Sequence, residues 1–363
     1  MRRVAFLTGV LALLLSGSLA WADEVVVTVG GKQVTEKGTI TKDEADQVMI
    51  DKGGPQMGWA RKDVIKITYD CLQKHYEIGL KHENARQYEA AIARYEDAVR
   101  DDGIHLRAKQ YPYIHLGQCL VKTGKFNEAA AIFKEFLEKA KAKDFRTVFR
   151  RELLEGLFTS YMRAGKLAEA EKILKEFGEE EKALGNVFRA ELSERKADNK
   201  TDTYANAADQ YLKITRTEAP PEMISRAYAG AARCQLLDGR WAEAAETARK
   251  VLKVKGFANA AAADAHQVIG ESLANGVPAT PKELAEKANQ EKAFDALEEM
   301  MRPLVQYQGS EWAEPRAYYF VGLWCERLAA AGAIGEWPKR AQWAQNELLR
   351  QFPKSPWAEK LKK

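Results

Sequence analysis

Residues that carry out chemistry are scarce in this 363-residue chain. It has four cysteines and five histidines. None of Cys71, Cys119, Cys234 and Cys325 forms a C-x-x-C pair. There is no H-E-x-x-H, no G-x-S-x-G and no glycine-rich phosphate loop. These absences remove the usual motifs of zinc proteases, serine hydrolases, nucleotide enzymes and thiol oxidoreductases. The chain is expected not to be an enzyme, with no cofactor and no metal. His75 and His82, seven apart, read as core histidines and not as ligands. An excess of one charge is also missing. Lys and Arg number 56 and Asp and Glu 52, a formal net charge of +4. That balance argues against nucleic acid as a partner, which needs a basic stripe. Beyond the N-terminus no stretch is apolar for the 18 residues that a spanning helix needs.

What is present is repetition. Gly124-Lys125-Phe126-Asn127-Glu128-Ala129-Ala130 is echoed by Gly165-Lys166-Leu167-Ala168-Glu169-Ala170 and by Gly239-Arg240-Trp241-Ala242-Glu243-Ala244-Ala245. Ala85-Arg86-Gln87-Tyr88-Glu89-Ala90-Ala91 is a degenerate copy without the glycine. The steps from Ala91 to Ala129 to Ala170 are 38 and 41 residues, a period typical of stacked supersecondary units. Tyr113, Leu116, Gly117 and Leu120 precede Gly124 at helical spacing, and Ile132, Phe133, Phe136 and Leu137 follow it. The glycine therefore marks a turn between two helices, where positive φ is tolerated. Each hairpin has too small an apolar face to bury alone, so several must stack.

The pattern resembles the tetratricopeptide repeat. The resemblance rests on Ile78-Gly79, Ala91, Tyr95 and Ala98 in one copy, and on Tyr113, Leu116-Gly117, Ala129 and Phe133 in the next. Leu154, Leu157, Tyr161, Ala170 and Leu174 form a third copy that lacks the glycine. Tyr204, Ala207, Tyr211 and Ile214 belong to a blurred fourth, and Tyr228, Ala231-Ala232, Ala244 and Ala248 to a fifth. His266, Ile269-Gly270 and Leu273 open a sixth, interrupted by an insertion from Asn275 to Lys282. Tyr318, Val321-Gly322, Cys325, Ala341 and Leu348 form the last. The resemblance implies a mainly α solenoid of about six to seven hairpins. Cys119, Cys234 and Cys325 fall in first helices of separate repeats, too far apart to be joined as disulfides.

Three regions are expected. Residues 1–22 read as a signal peptide: Arg2-Arg3, an apolar core from Val4 to Leu15, and Ala20-Trp21-Ala22 as a cleavage site after Ala22. The mature protein is then expected in the periplasm or outside the cell, with a net charge of +2 once Arg2 and Arg3 leave. Residues 23–69 read as a small SH3-like β module. Val25 to Val29, Gln47 to Ile50 and Lys62 to Ile67 are strand-like, and Gly30-Gly31 signals a turn. Residues 70–363 read as the helical array. Asn199 to Thr203 reads as a longer loop, and Thr280-Pro281 as the start of the next helix, with Thr280 as its N-cap and Pro281 at its first position. Trp312, Trp324, Trp337, Trp343 and Trp357 are expected to pack a terminal repeat, with one more helix beginning at Trp357.

The resemblance implies binding along the concave face formed by first helices. The residues placed there are Tyr76, Leu80, Tyr111, Ile114, Gln118, Glu155, Thr159, Arg163, Arg226, Arg233, Arg316, Tyr319 and Arg327. Tyr76 and Leu80 stand where some members carry a carboxylate clamp, so that clamp is absent. Aromatics and arginines are what interfaces favour. The expected function is a non-enzymatic scaffold for a protein or peptide partner in the cell envelope. The alternative is an accessory that recruits polysaccharide or peptidoglycan through the β module, where Trp59 is the one ring before Tyr69.

Overall fold

The structure is a computed structural model that describes residues 22–72, 74–179 and 181–362. The expected signal peptide, apart from Ala22, lies outside the described residues. The chain forms two compact units that divide between Ser160 and Tyr161.

The first unit opens with five antiparallel strands: β1 (Asp23–Val29), β2 (Lys32–Asp43), β3 (Gln47–Asp51), β4 (Met57–Ala60) and β5 (Val64–Thr68). Their order is β4-β3-β2-β1-β5, so the last strand returns beside the first. Gly30 and Gly31 both take positive φ, 56° and 78°, in the two-residue turn that pairs Val29 with Lys32. β2 spans 12 residues and shifts register between Ile40 and Lys42. Its first half pairs with β1 and its second with β3, which bends the sheet strongly. Val25, Val27, Ile40, Val48 and Ile50 are its buried core. The sequence KQVTEKGTITKD is mostly polar, and its run of hydrophobics is too sparse to announce a long strand.

Helices follow: α1 (Tyr76–Asn84), α2 (Tyr88–Arg100), α3 (Leu106–Lys122), α4 (Phe126–Ala142) and α5 (Arg150–Arg163), within which the division between units falls. The second unit continues with α6 (Leu167–Ile173), α7 (Lys182–Asp198), α8 (Tyr204–Ile214), α9 (Pro221–Leu237) and α10 (Trp241–Val251). It ends with α11 (Asn259–Ala274), α12 (Pro281–Leu284), α13 (Lys287–Val305), α14 (Ala313–Ala330), α15 (Trp337–Gln351) and α16 (Pro356–Leu361). Successive helices pair as hairpins: α1 with α2, α3 with α4, α7 with α8, α9 with α10, α11 with α13, and α14 with α15. This is the mainly α, tetratricopeptide-type architecture that the repeats imply.

A glycine-against-ring contact holds the hairpins. A Cβ on Gly79 would come within 3.0 Å of the Tyr95 ring, and one on Gly117 within 3.0 Å of the Phe133 ring. Phe133 meets Gly156 of α5 in the same way, so glycines flank it from two helices. Tyr211 and Gly230 repeat the device in the second unit. The turns use left-handed glycines at Gly124, Gly165 and Gly239. In the degenerate copy Arg86, not Ala85, occupies the glycine position, with φ 58°.

Asn199 to Thr203 forms the longer loop expected, five residues between α7 and α8 where the turns at Gly124, Gly165 and Gly239 take three, with Lys200 at φ 60° and Thr203 capping α8. Thr280 caps the next helix through its hydroxyl and the Glu283 N–H, with Pro281 at the first position; that helix, α12, is a single turn, and the partner of α11 starts at Lys287. One sequence expectation needs correction. His82 is half-buried at a helix end and bonds Gln87 at 2.8 Å, so it is not a core residue.

Candidate protein-interaction face

In the first unit, most of the residues placed on the binding face are committed to the fold. Tyr76 is buried, with its ring 5.8 Å from Tyr95, 6.3 Å from Tyr111 and 5.5 Å from His115. Ile114 is 2% exposed. Both are corrections: α3 covers the start of α1, and a ring cluster fills the junction. Tyr111 is half-buried and donates its hydroxyl to Asp43 Oδ2 at 3.0 Å. Asp43 is fully buried at the end of β2. It also accepts from Tyr69 OH at 2.9 Å, from Gln110 Nε2 at 3.0 Å and from Arg61. Burial, with Asp43 close by, pushes the Tyr69 and Tyr111 hydroxyls well above the usual phenol range. Gln110 in turn accepts from Thr147 Oγ1 at 2.9 Å and the Val148 N–H at 3.2 Å. A buried carboxylate is tolerable only when its lone pairs are filled this way. This network ties the sheet to α3 and leaves Tyr111 little freedom for a ligand. Leu80, Glu155 and Thr159 are half-buried, and Gln118 is exposed.

In the second unit, four first helices carry an ion-pair ladder. Arg226 and Arg233 are seven apart on α9, and Asp264 and Glu271 are seven apart on α11, so each pair shares a helix face. Arg226 Nε meets Glu191 of α7 at 2.7 Å. Arg233 donates to both Glu194 oxygens, at 3.1 Å and 2.8 Å, and to Asp264. Asp264 also accepts from Ser310. Glu194 takes Tyr211 OH at 2.7 Å. Burial works against the Arg233 charge, but Glu194 and Asp264 hold the guanidinium protonated far above its usual range. Burial pushes the Asp264 carboxyl upward, against the pull of Arg233. Arg233, expected at an interface, is thus an internal strut with its side chain 14% exposed. Spacing alone could not show this, because its partners lie 31 and 39 residues away.

At the C-terminal end the ladder passes into an aromatic cluster. Arg316 pairs with buried Glu271, at 2.6 Å through Nη2. Its guanidinium carbon lies 5.0 Å from the Trp312 ring centre, 5.4 Å from Phe320 and 4.7 Å from Trp357. Tyr319 packs on Trp357 at 5.0 Å, and Lys360 lies over the same indole at 4.1 Å. Trp312, Tyr319, Phe320 and Trp357 are all half-buried. Ser355 caps α16 and Pro356 opens it, which sets Trp357 in place. The structure therefore joins the expected Arg316 and Tyr319 to rings that repeat spacing did not bring together. Arg163 is exposed and pairs with Glu311. Arg327 is half-buried and lies over Trp324 at 4.7 Å.

Helices α13, α14 and α15 frame a second feature. An apolar cleft of about 390 Å³ is lined by Phe294, Leu297, Met301, Trp337 and Trp343. Trp337 stacks on Phe294 at 5.3 Å and an interplanar angle of 12°. The tryptophan count of the last repeat was the sequence signal for it, although Trp343 remains exposed instead of packing inside.

No family model matches this chain, and no curated protein matches it. Among solved structures it is similar to a tetratricopeptide repeat protein from Parabacteroides merdae ATCC 43184, at 13% identity, over 81% of this chain and 98% of that one, with a TM-score of 0.48. It is similar to the C-terminal part of a TPR repeat-containing protein from Cytophaga hutchinsonii, at 12% identity, over 77% and 96%, with a TM-score of 0.43. Pseudomonas aeruginosa pilF is similar at 14% identity, over 69% and 95%, with a TM-score of 0.41.

Proposed function

We propose that this chain is a non-enzymatic scaffold that holds a protein or peptide partner in the cell envelope, where a signal peptide cut after Ala22 would deliver it. The contact surface is the aromatic end of the first-helix face in the second unit: Trp312, Arg316, Tyr319, Phe320 and Trp357. One observation carries the reading. Arg316 is clamped by Glu271 and by three rings, so half-exposed aromatics are fixed in place before any partner arrives. Rigid aromatics beside arginine are the usual centres of binding energy, and rigidity lowers the entropy lost on association. Of the residues expected from the repeats, Arg163 and Arg327 extend this surface, and Leu80 and Gln118 offer a smaller one in the first unit. A net charge near zero in the mature form supports a protein partner over a nucleic acid.

The test is photocrosslinking in intact cells from an unnatural residue at Tyr319, followed by capture of the tagged protein. A discrete adduct that Trp357→Ala abolishes supports the assignment. An adduct indifferent to Trp357→Ala moves the interface elsewhere. Recovery of the protein with the cytoplasmic fraction would overturn the envelope location.

A further inference from the structure

The apolar cleft between α13 and α15 lies beside an unusually bare hydrophobic side chain. Ile334, in the loop between α14 and α15, is 98% exposed. Gly332 and Gly335 flank it at φ 74° and 146°. The Ile334 carbonyl accepts from Trp337 Nε1 at 3.2 Å, and Trp337 lines the cleft. An aliphatic knob therefore stands at the rim of an apolar hole. The apolar surface continues along α13. Phe294, Met301 and Val305 share one helix face, at steps of seven and four residues, and Val305 is 71% exposed. Across the cleft, Trp343 of α15 is exposed as well. Scattered exposed hydrophobics are ordinary, but a group of them around one cleft marks an interaction site. The rim carries one charge of each sign. Arg340 lies over Trp337 at 4.8 Å and has no ion-pair partner among the described residues. Glu298 meets Arg302 of its own helix at 2.8 Å, in an exposed pair of the kind that contributes little and is readily shared. Such a balanced rim favours neither an anionic nor a cationic ligand. It is instead self-complementary, with the carboxylate on the α13 wall and the cation on the α15 wall.

We propose that this cleft is the interface of a homodimer, in which Ile334 of each copy enters the cleft of the other. A two-fold axis running along the cleft lays α13 of one copy over α15 of the second. Each contact is then made twice: Ile334 against Phe294 and Met301, and Arg340 against Glu298. The hole has room for the knob. An apolar cavity of about 150 Å³ already takes up a benzene-sized molecule, and the cleft measures about 390 Å³. The knob and the hole lie on one surface of one chain, which is what an isologous contact requires. The planar fork of Arg340 can bind both oxygens of the opposing carboxylate. Because these charges are at the rim, the dimer should weaken as salt is raised. None of these residues belongs to the face around Trp357, so the two surfaces stand or fall separately.

The test follows the mass of the full mature protein by sedimentation velocity, at concentrations from about 1 to 200 µM, where weak interfaces populate. The expected result is a monomer–dimer equilibrium that weakens at least tenfold in Ile334→Asp, in Arg340→Glu and in Glu298→Arg. All three residues are exposed, so each variant should melt as wild type does. Mixing the Arg340→Glu and Glu298→Arg proteins should restore the dimer, because each opposed pair in the mixed dimer joins an acid to a base. A general loss of structure would not produce that rescue. A protein that stays monomeric at the highest concentration overturns the proposal. So does a dimer indifferent to Ile334→Asp, or one lost in Trp357→Ala instead, since either puts the contact elsewhere. A mixture that fails to re-form the dimer overturns the two-fold pairing of Glu298 with Arg340. Uptake of a fluorescent fatty acid by a protein that remains monomeric gives the cleft to a small apolar ligand and overturns the second copy.

Discussion

Replacing Gly117 with alanine sets two effects of known size against each other. Alanine is the better helix former, worth about 1 kcal/mol over glycine in a helix interior. On that ground alone Gly117→Ala, in the middle of α3, should stabilise. The contact with Phe133 says otherwise. The new methyl would sit within 3.0 Å of three Phe133 ring atoms, closer than carbon atoms approach. The ring is fully buried and cannot swing away, because Gly156 of α5 receives it as closely from another helix. Overpacking of this kind costs about 1–3 kcal/mol, and a rigid ring held from two helices belongs at the upper end. The net expectation is a loss of about 1–2 kcal/mol. Amide hydrogen exchange read on peptides from α3 and α4 would measure it locally. A double-mutant cycle sharpens the test. Phe133→Leu alone destabilises, but in the Gly117→Ala background the smaller side chain makes room, giving a coupling of about 1 kcal/mol. A neutral or stabilising Gly117→Ala would refute the wedge and leave helix propensity as the governing term.

Arg86→Gly should raise stability by about 1 kcal/mol, because Arg86 takes a left-handed conformation that costs an L-residue about that much; a lower urea midpoint would count against it. Arg233→Ala should cost about 3–5 kcal/mol by leaving Glu194 and Asp264 buried without their cation, and a second-unit melting profile unchanged by the mutation would contradict the ladder. Stability should also depend on Glu83 in acid. Burial alone would raise its pKa, but hydrogen bonds from His115 at 2.8 Å and Tyr95 at 2.6 Å override that and hold it below the usual carboxylate range. A depressed folded-state pKa contributes stability that is present above the ordinary carboxylate value and is lost as pH falls through the folded one. Glu83→Gln should therefore lower stability at pH 7 and flatten the acid limb below about pH 4.5; parallel acid limbs in the two proteins would rule this out.

The sequence by itself determined whatever is local and periodic. Glycine before a base at Gly124, Gly165 and Gly239 sets the turns, because positive φ is a property of a single residue, and the repeat steps of 38 and 41 residues space the hairpins. The β-branched run from Val25 to Val29 and the Gly30-Gly31 turn made the sheet legible, while the polar β2 hid its length. The closing helix, expected to begin at Trp357, starts one residue earlier at Pro356, behind the Ser355 cap. The tertiary structure alone decided which polar residues are free to meet a partner. Asp43 and Tyr111 lie 68 residues apart, and Arg316 and Glu271 lie 45 apart. Helical spacing puts a side chain on a face, but it does not say what the neighbouring helix presents to that face. Arg233 and Arg163 look alike in the repeat pattern; one is locked between two buried carboxylates and the other stays exposed.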